Sequence, residues 1–355
     1  MSDSRIICKR MSEVVPEAIS WLWPDRIAKG KLTLIIGDPG QGKGLLTLDL
    51  AARATTGKAW PGEVEVRSPG SVILLTPEDD PGDTIRPRLD VSGADTSRIH
   101  IVLSVMSGAG LKQERSFTLA DDVEHLKTLV EELGDCVLII IDPLSAYFGT
   151  EKDSYKDTHV RALMMPLVQL AASTGVAIMC VSHMNKAQGS AVTRGMGSIG
   201  FTAVARTVWM LEKSPKDNDV RVLLPVKCNI TKDNQAAAFR VVPKLHPALN
   251  SLQPAIEWIE GDFEMTADQF LAMQGTINRP DKLSEAEEFL NSRLAGGPVA
   301  ASELLEEAES EGISGRTLQR AKGSLNIKVE KGSGVLNGPW KWSLPQPDEV
   351  TSVPA

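Results

Sequence analysis

The sequence predicts an α/β protein in which a mostly parallel sheet, covered by helices, is extended by antiparallel hairpins and followed by a small helical module. Between residues 31 and 181, short apolar runs alternate with amphipathic segments of helical length. Runs such as VLIII are apolar throughout, which is typical of strands buried on both faces of a parallel sheet. After about residue 200, strand candidates become closely spaced and are separated by polar turns, a pattern that favours antiparallel hairpins.

The individual elements follow this alternation along the chain. Five strands are predicted in the parallel region, at Leu32–Ile36, Ser71–Thr76, Ile99–Leu103, Val137–Ile141 and Val176–Val181. Helices are predicted between them near 43–56, 83–90, 119–133 and 156–173. Three later strands are expected to pair through the turns SPKDND and TKDNQ, at Thr207–Leu211, Arg221–Lys227 and Ala238–Val242.

The length of the chain indicates one large and one small domain. A chain of 355 residues exceeds what one compact core usually holds. We expect residues 1–30 to pack on the core, residues 31–261 to form the α/β domain and residues 262–282 to form a linker. Residues 283–344 are predicted to be a second domain, and the tail 345–355 is predicted to be disordered because it has nothing to pack.

The second domain shows three helix starts and a terminal hairpin. Ser284 with Glu287 three residues later forms a capping box, and Ser302 and Ser314 are suited to cap two further helices. Two short strand candidates, KVEKGSG and NGPWKWSL, follow around a glycine-rich turn. This order predicts a winged-helix-like domain.

Charge in this domain is divided by position. Residues 281–311 carry nine acidic and two basic side chains, whereas residues 312–342 carry six basic side chains and one acidic. The predicted third helix presents Arg316, Arg320 and Lys322, of which the two arginines share one face. A basic third helix before a lysine-bearing hairpin favours DNA binding. Docking of a protein partner is the alternative, because the first half of the domain is acidic.

Composition limits the cellular setting and the partners. The four cysteines are scattered without a C-x-x-C pair, which fits a reducing compartment and neither a disulfide framework nor a zinc site. No apolar run reaches membrane-spanning length and no signal peptide is evident, so we expect a cytoplasmic protein without membrane contact. A net charge of -8 excludes a globally basic surface, so nucleic acid would have to meet local patches or a channel built by several subunits.

The stretch GDPGQGKG, between a predicted strand and a predicted helix, has the pattern of a phosphate-binding loop. Glycines let backbone N–H groups converge on phosphate oxygens, and the lysine adds a positive charge. The expected ATP-binding residues are Gly37, Asp38, Pro39, Gly40, Gln41, Gly42, Lys43, Gly44 and Leu45. The pattern calls for serine or threonine after the lysine, where this chain has Gly44. Water is expected to fill that position on Mg²⁺, with Thr47 one helical turn away as an assistant.

Three polar side chains follow predicted core strands and are expected near the loop. Asp142 ends a buried strand, where a carboxylate can hold Mg²⁺; capping of the next turn is the alternative. Glu78, with Asp79 and Asp80 as competitors, is placed to activate a water; a solvated acidic turn is the alternative. His183 ends a further strand, where an imidazole can sense the γ-phosphate or serve a purely structural role.

The ordered motifs GDPGQGKG, LLTPEDD, IIIDPLSAYFG, SHMNK, RGMGSIGFTAVARTVWML and VKCNIT resemble those of RecA-fold ATPases of the RepA type, the hexameric replicative helicases of plasmids and their phage relatives. The resemblance covers about residues 15–260. It implies a RecA-like P-loop NTPase core that assembles as a homo-oligomer, a hexamer, with ATP and Mg²⁺ held between subunits. It also implies that Lys43, Glu78 and Asp142 act in one subunit as phosphate clamp, catalytic carboxylate and magnesium ligand.

The same resemblance implies residues that act on a neighbouring subunit and on DNA. Arg206 matches the position of the arginine finger, and Lys227 and Asn229 fall on the hairpin that carries a second trans-acting basic residue in related helicases. The loop 184–200, with Lys186 and Arg194, matches the loop that grips single-stranded DNA in the central channel. A solvated arginine and an ordinary surface loop are the respective alternatives.

We therefore predict an ATP-hydrolysing, ring-forming motor that acts on single-stranded DNA, with a primase or initiator as a possible partner. The first alternative is an ATP-binding switch for assembly, in which Gly44 makes turnover negligible. The second is a helicase loader or a recombinase-like filament. Trp21 and Trp23 are expected to pack on the core and not to stack on a base.

Overall fold

A computed structural model describes residues 6–108, 110, 112–149, 157–184, 199–231, 235–263, 265–277, 282–331 and 340–345. The chain divides into two compact units, Met1–Leu271 and Ala272–Ala355. Among the described residues, no helix combines the length and the apolar character needed to cross a membrane.

The first unit contains thirteen described strands and five described α-helices, and a sixth α-helix begins in it and continues past its boundary at Leu271. The strands are β1 (Trp21–Trp23), β2 (Ile27–Ala28), β3 (Leu32–Gly37), β4 (Ser71–Leu75), β5 (Ile99–Ile101), β6 (Val105–Ser107), β7 (Gln113–Arg115), β8 (Cys136–Ile141), β9 (Ala177–His183), β10 (Thr207–Lys213), β11 (Val220–Cys228), β12 (Ala236–His246) and β13 (Ser251–Phe263). The helices are α1 (Lys43–Thr56), α2 (Arg86–Ser92), α3 (Val123–Leu133), α4 (Asp157–Thr174), α5 (Ile199–Val204) and α6 (Ala267–Ile277).

Nine of these strands form one sheet in the order β13-β12-β11-β10-β3-β9-β8-β4-β5. Pairs from β10 to β5 are parallel, and β10 to β13 are joined by antiparallel pairs. The predicted α/β class, a mostly parallel sheet with an antiparallel extension, is confirmed. The strand β3 lies between β9 and β10, so the end of β3 meets the ends of both neighbours.

The apolar strands bury both of their faces, as the sequence predicts. Alternate side chains of β3 enter different cores: Leu34 and Ile36 pack with α3 and α4, whereas Ile35 packs with α1 and α2. This division follows from the two-residue period of a strand. Helices therefore cover the sheet on both sides, and the loops that follow the strands meet at its edges.

The two ends of the first unit differ from the expected boundaries. Residues 6–20, which were expected to pack on the core with the rest of segment 1–30, are exposed, and packing begins at the β1–β2 hairpin. Trp23 is buried there, with its ring 5.7 Å from that of Trp60 and 5.4 Å from that of Trp258. The segment assigned to a linker contains helix α6, because Ala267 and Phe270 bury their side chains in the first unit.

The second unit contains three described helices and a three-stranded sheet. The helices are α7 (Lys282–Leu294), α8 (Ala301–Ser310) and α9 (Gly315–Ser324), and the strands are β14 (Val299–Ala300), β15 (Lys328–Lys331) and β16 (Trp340–Ser343). The strand order is β14-β16-β15, with antiparallel pairs. This winged-helix-like arrangement confirms the predicted fold of the module.

One of the predicted helix caps in this unit is confirmed and two are not. The Ser314 hydroxyl accepts a hydrogen bond from the Thr317 amide at 3.3 Å and caps α9. Helix α8 begins at Ala301 after the residue Ala300, so the prediction that Ser302 caps it is wrong. Helix α7 begins at Lys282, which places Ser284 inside the helix and not before it. Strand β14 directly precedes α8 and pairs with β16, and short-range sequence patterns do not show this pairing.

Candidate nucleotide-binding site

The glycine-rich loop leaves β3 at Gly37 and enters α1 at Lys43. Gly40 and Gly42 have positive φ angles of 76° and 94°, a conformation that favours glycine. A Cβ atom at Gly37 would lie 2.4 Å from the Leu211 carbonyl oxygen of β10, so no side chain fits there. These glycines allow the sharp turn that phosphate-binding loops use to direct backbone N–H groups toward a phosphate at the start of a helix.

The loop is braced by a hairpin that sequence reasoning missed. The Arg221 Nε donates to the Gln41 carbonyl oxygen at 2.9 Å, and the Lys213 amide donates to the Gln41 side-chain oxygen at 2.9 Å. Arg221 is buried on β11 and Lys213 ends β10. The signal in the sequence was a charged residue within an otherwise apolar strand, but its partner lies 180 residues earlier.

Lys43 is held at the mouth of the loop by oxygen and nitrogen acceptors. Its Nζ lies 2.8 Å from the Gly37 carbonyl oxygen, 2.9 Å from that of Asp38 and 3.3 Å from Nδ1 of His183. Burial lowers the pKa of Lys43, and the nearby carboxylates, Asp142 first, oppose that effect. The ammonium group is thus poorly hydrated, which favours exchange of its carbonyl partners for phosphate oxygens.

His183 reaches the loop because β9 pairs in parallel with β3. Gly37 and His183 are paired in register, so the imidazole stands beside the start of the loop. Burial and the charge of Lys43 lower the pKa of His183, which favours a neutral ring. The next amide, that of Met184, donates to the Gly37 carbonyl oxygen at 3.3 Å. Met184, the residue directly after β9, is therefore tied to the glycine-rich loop.

Asp142 lies directly after β8, and its amide donates to the Leu75 carbonyl oxygen of β4 at 2.9 Å. Burial raises the pKa of Asp142 to about 6, and the charge of Lys43 opposes that rise. The Thr47 hydroxyl lies 3.5 Å from Asp142 Oδ2 and 2.9 Å from the Gly44 carbonyl oxygen. One oxygen of this carboxylate therefore meets the first turn of α1, beside the position of the absent hydroxyl.

A cavity of about 20 Å³ lies beside Gly44. Its polar lining comes from Thr47, Thr76, Asp79 and Asp142, and its remaining walls are aliphatic. Space of this size holds one water molecule when polar partners are present. A Cβ atom at Gly44 would lie 3.8 Å from Asp142 Oδ2, so the cavity also has room for a serine side chain.

These oxygen donors fit a magnesium ion that is bound largely through water. Magnesium prefers oxygen ligands, keeps several waters and is often held by one or two carboxylates together with substrate phosphates. Within the described residues, no cluster of three or more His, Cys, Asp or Glu side chains is suited to hold a metal. The fit therefore requires the nucleotide, whose phosphates supply the remaining oxygens.

The three carboxylates of the acidic turn after β4 have different surroundings. Asp80 accepts from the amides of Gly82 and Asp83 at 2.7 and 3.0 Å, and Asp79 pairs with Arg88 at 3.2 Å. Glu78 is exposed. Of these three side chains, Glu78 is the one with no hydrogen bond or ion pair among the described residues, and the one whose charge acts on Lys43, Asp142 and His183.

Arg206 lies at the opposite end of the sheet from the glycine-rich loop. Its amide donates to the Leu32 carbonyl oxygen at 2.9 Å, at the start of β3, and its side chain is exposed. The loop leaves β3 at Gly37, and the strand between them extends about 17 Å. An arginine at this end of the strands cannot contact phosphates bound in the glycine-rich loop of its own chain.

Lys227 and Asn229 support the backbone that carries Arg206. The Lys227 ammonium donates to the carbonyl oxygens of Thr202, Ala203 and Ala205, at 2.6, 3.2 and 3.0 Å, and so caps the C-terminal end of α5. The Asn229 amide donates to the Arg206 carbonyl oxygen at 3.1 Å. Burial and the charge of Arg206 lower the pKa of Lys227.

The expected DNA-contacting residues fall in two regions. Lys186 and Arg194 lie outside the described residues, as does most of the loop 184–200. Arg316 and Arg320 are exposed on α9, whereas Lys322 is partly buried with its ammonium 4.6 Å from the Trp342 ring centroid. The two arginines thus share an outward face, and Lys322 is directed toward the hairpin.

Comparison with known proteins supports the core assignment. The family described as AAA domain matches residues 9–189, half of the chain. The DNA repair protein RadA of Mycobacterium tuberculosis (strain ATCC 25618 / H37Rv) is 28% identical over 162 residues, covering 45% of this chain and 28% of that protein. RadA of Bacillus subtilis (strain 168) is 23% identical over 217 residues, covering 61% of this chain and 40% of that protein. The chain therefore spans less than half the length of these relatives.

Proposed function

Because this chain belongs to the AAA domain family, we propose that it is an ATPase that assembles into a ring, with each ATP bound between two neighbouring copies. The position of Arg206 carries this proposal. Its side chain is exposed at the end of the sheet where β3 begins, and the glycine-rich loop of the same chain lies at the end where β3 finishes. Phosphate in a neighbouring copy is the partner that such an arginine can reach.

The glycine-rich loop and Lys43 bind the triphosphate of ATP. Glu78 accepts a proton from the attacking water, because it is the exposed carboxylate whose charge acts on Lys43. Arg206 of the neighbouring copy stabilises the charge that develops on the γ-phosphate. Magnesium, when bound with ATP, supplies positive charge at the outer phosphates, and Asp142 with Thr47 orients its waters.

Single-stranded DNA is the proposed substrate of the motor. The similar proteins are DNA repair proteins by description, and the expected DNA-gripping loop with Lys186 and Arg194 begins directly after His183. Since the Met184 amide is bonded to Gly37, loss of the γ-phosphate beside His183 can be passed to Met184, the first residue of that loop. Six copies would place their loops in one channel and so offset the net charge of -8. The motor is helicase-like and of the RepA type, working with a primase or initiator.

A switch with little turnover is the second candidate function, and Gly44 is the observation that favours it. The missing hydroxyl removes a direct ligand of magnesium, which weakens the positive charge available at the γ-phosphate. In that case ATP would govern assembly or DNA occupancy, as in a helicase loader or a recombinase-like filament. Electron micrographs of the protein with ATP separate two of these candidates: closed rings would support the motor, and open helices would support a recombinase-like filament.

Mixing two inactive variants tests the shared site directly. Lys43→Ala removes the phosphate clamp of a subunit's own site, and Arg206→Ala removes the residue lent to its neighbour. Each variant alone should lose roughly 10²–10³-fold in ATPase rate. Random mixing in equal amounts should restore about one quarter of the wild-type rate, because that fraction of interfaces joins an intact loop to an intact arginine.

Two outcomes would argue against this proposal. No recovery on mixing, together with full activity of Arg206→Ala alone, would contradict the shared site. A wild-type rate no higher than that of Lys43→Ala, measured with and without single-stranded DNA, would favour the switch. Native mass spectrometry with ATP and an oligonucleotide gives the number of copies in the assembly.

A further inference from the structure

Helix α9 of the second unit has one buried face and one polar face. Leu318 and Ala321 are buried in the core of the unit. Arg316, Gln319, Arg320 and Gly323 are exposed. Their spacing places them together on the side of the helix away from the core. These four residues are called the α9 outer face below.

Gly323 on this face has no explanation in the packing of its own unit. A Cβ atom at this position would meet nothing within 4 Å, and the backbone is helical. Glycine destabilises a helix relative to other residues, because it loses more conformational freedom on folding. A residue without a side chain on an exposed face lets a partner approach the helix backbone closely. The α9 outer face therefore has the shape of a contact surface.

The strands β15 and β16 also carry exposed positive charge. Lys331 and Lys341 are exposed on β15 and β16, and the ammonium of Lys331 lies 5.6 Å from the ring centroid of Trp340. Trp340 itself is 54% exposed. The acidic residues of the unit are concentrated on α7 and α8. Lys331 is paired with Trp340 and therefore lies on the same face of the sheet as Trp340 and Trp342, whereas Lys341 is paired with Glu330 on the other face. Lys331 is thus the strand lysine that lies on the face of Trp342, the ring that Lys322 of α9 contacts.

We propose that the second unit binds duplex DNA, with the α9 outer face in the major groove and Lys331 of β15 on an adjoining phosphate. A major groove about 12 Å wide admits a helix, whereas the deep, narrow groove of duplex RNA does not. Arginine and glutamine side chains pair with guanine and adenine edges there. Exposed lysines contact phosphates without regard to sequence. This activity is separate from ATP hydrolysis and from the channel proposed for single-stranded DNA.

The test uses the full chain without nucleotide and a fluorescein-labelled DNA duplex of about 20 base pairs, read by anisotropy. The variant Arg316→Ala/Arg320→Ala should bind the duplex at least tenfold more weakly at about 0.1 M salt. The slope of log affinity against log salt should change by less than one, because each lost phosphate contact contributes about 0.9 and the two arginines are assigned to base edges. The control Lys58→Ala/Lys216→Ala removes the same charge from exposed positions in the first unit and should change neither value.

A second variant separates binding from folding. Gly323→Leu adds a helix-forming side chain into open space, so the thermal midpoint should stay the same or rise. Duplex affinity should nevertheless fall, because the new side chain keeps the groove away from the helix. Single-stranded DNA affinity and the ATPase rate should be unchanged in both variants, which keeps this test independent of the ATPase proposal.

Three results would overturn the inference. The first is equal duplex affinity of wild type, the double arginine variant and Gly323→Leu. The second is equal loss of affinity in the Lys58→Ala/Lys216→Ala control, which would assign binding to net charge alone. The third is equally tight binding of a duplex RNA of the same length, which would exclude insertion into a major groove.

Discussion

Replacing Gly44 with serine adds the hydroxyl group that a phosphate-binding loop usually carries at this position. The new Cβ atom would lie 3.8 Å from Asp142 Oδ2, an ordinary van der Waals distance, so the substitution requires no rearrangement. Without nucleotide, the free energy of unfolding should rise by about 0.5 kcal/mol, because serine is a better helix former than glycine. The hydroxyl would enter the cavity of about 20 Å³ and take the place of the water expected there.

With magnesium and nucleotide, the effect should be larger. Release of an ordered water is worth up to about 2 kcal/mol, which corresponds to an affinity increase of up to about 30-fold. We expect the magnesium concentration needed for half-maximal binding of a fluorescent ADP analogue to fall by this factor. Binding without magnesium should be unchanged, since the hydroxyl acts on the ion and not on the loop.

Thr47→Val provides the decisive comparison. Thr47 is buried, and its hydroxyl lies between the Gly44 carbonyl oxygen and Asp142 Oδ2. If it holds a water for magnesium, Thr47→Val should raise the magnesium concentration needed for half-maximal nucleotide binding in wild type and have little effect in the Gly44→Ser background. Equal effects in the two backgrounds would show that the two positions act independently. That result would refute the account of the cavity.

Three further predictions concern residues around the site. Lys227→Met should lower the free energy of unfolding by about 1–2 kcal/mol in thermal denaturation, since two carbonyl oxygens of α5 and that of Ala205 lose their donor. It should slow hydrolysis through Arg206 more than it weakens ATP binding, and an unchanged midpoint would contradict the capping role. Arg221→Ala should weaken ATP binding about fivefold in fluorescence titrations, because Gln41 loses a brace worth about 1 kcal/mol, and unaltered affinity would exclude such a brace. The pKa of Asp142 is raised to about 6, so the folded state binds this proton more tightly than the unfolded chain does. The free energy of unfolding should therefore fall as the pH rises from about 4 to about 6. Asp142→Asn should remove this decrease in denaturant titrations without nucleotide.

The glycine-rich loop illustrates what short sequence patterns can predict. Gly37, Gly40, Gly42 and Lys43 were recognised from their spacing alone, because the turn needs positive φ angles and a backbone free of side chains. The same holds for the apolar strands, whose period and composition indicate burial on both faces. These features depend on residues that are close together in the chain, so they can be predicted from the sequence.

Segments at the boundaries of the units were harder to predict. Residues 267–277 were assigned to a linker because their pattern is weak, yet Ala267 and Phe270 are buried in the first unit. The start of α8 moved because β14 pairs with β16, more than forty residues later. In both cases a distant partner outweighed the local preference.

By itself, the amino-acid sequence determined that this protein has a phosphate-binding loop, a parallel sheet buried on both faces and a separate module with divided charge. Periodicity, glycine spacing and charge act over a few residues, and each of these features is visible within one segment. Only the tertiary structure decided that Arg221 braces Gln41, that Lys227 caps α5 and that Arg206 lies at the edge opposite its own loop. Those relations depend on strand order and register, which arise from contacts between segments far apart in the chain.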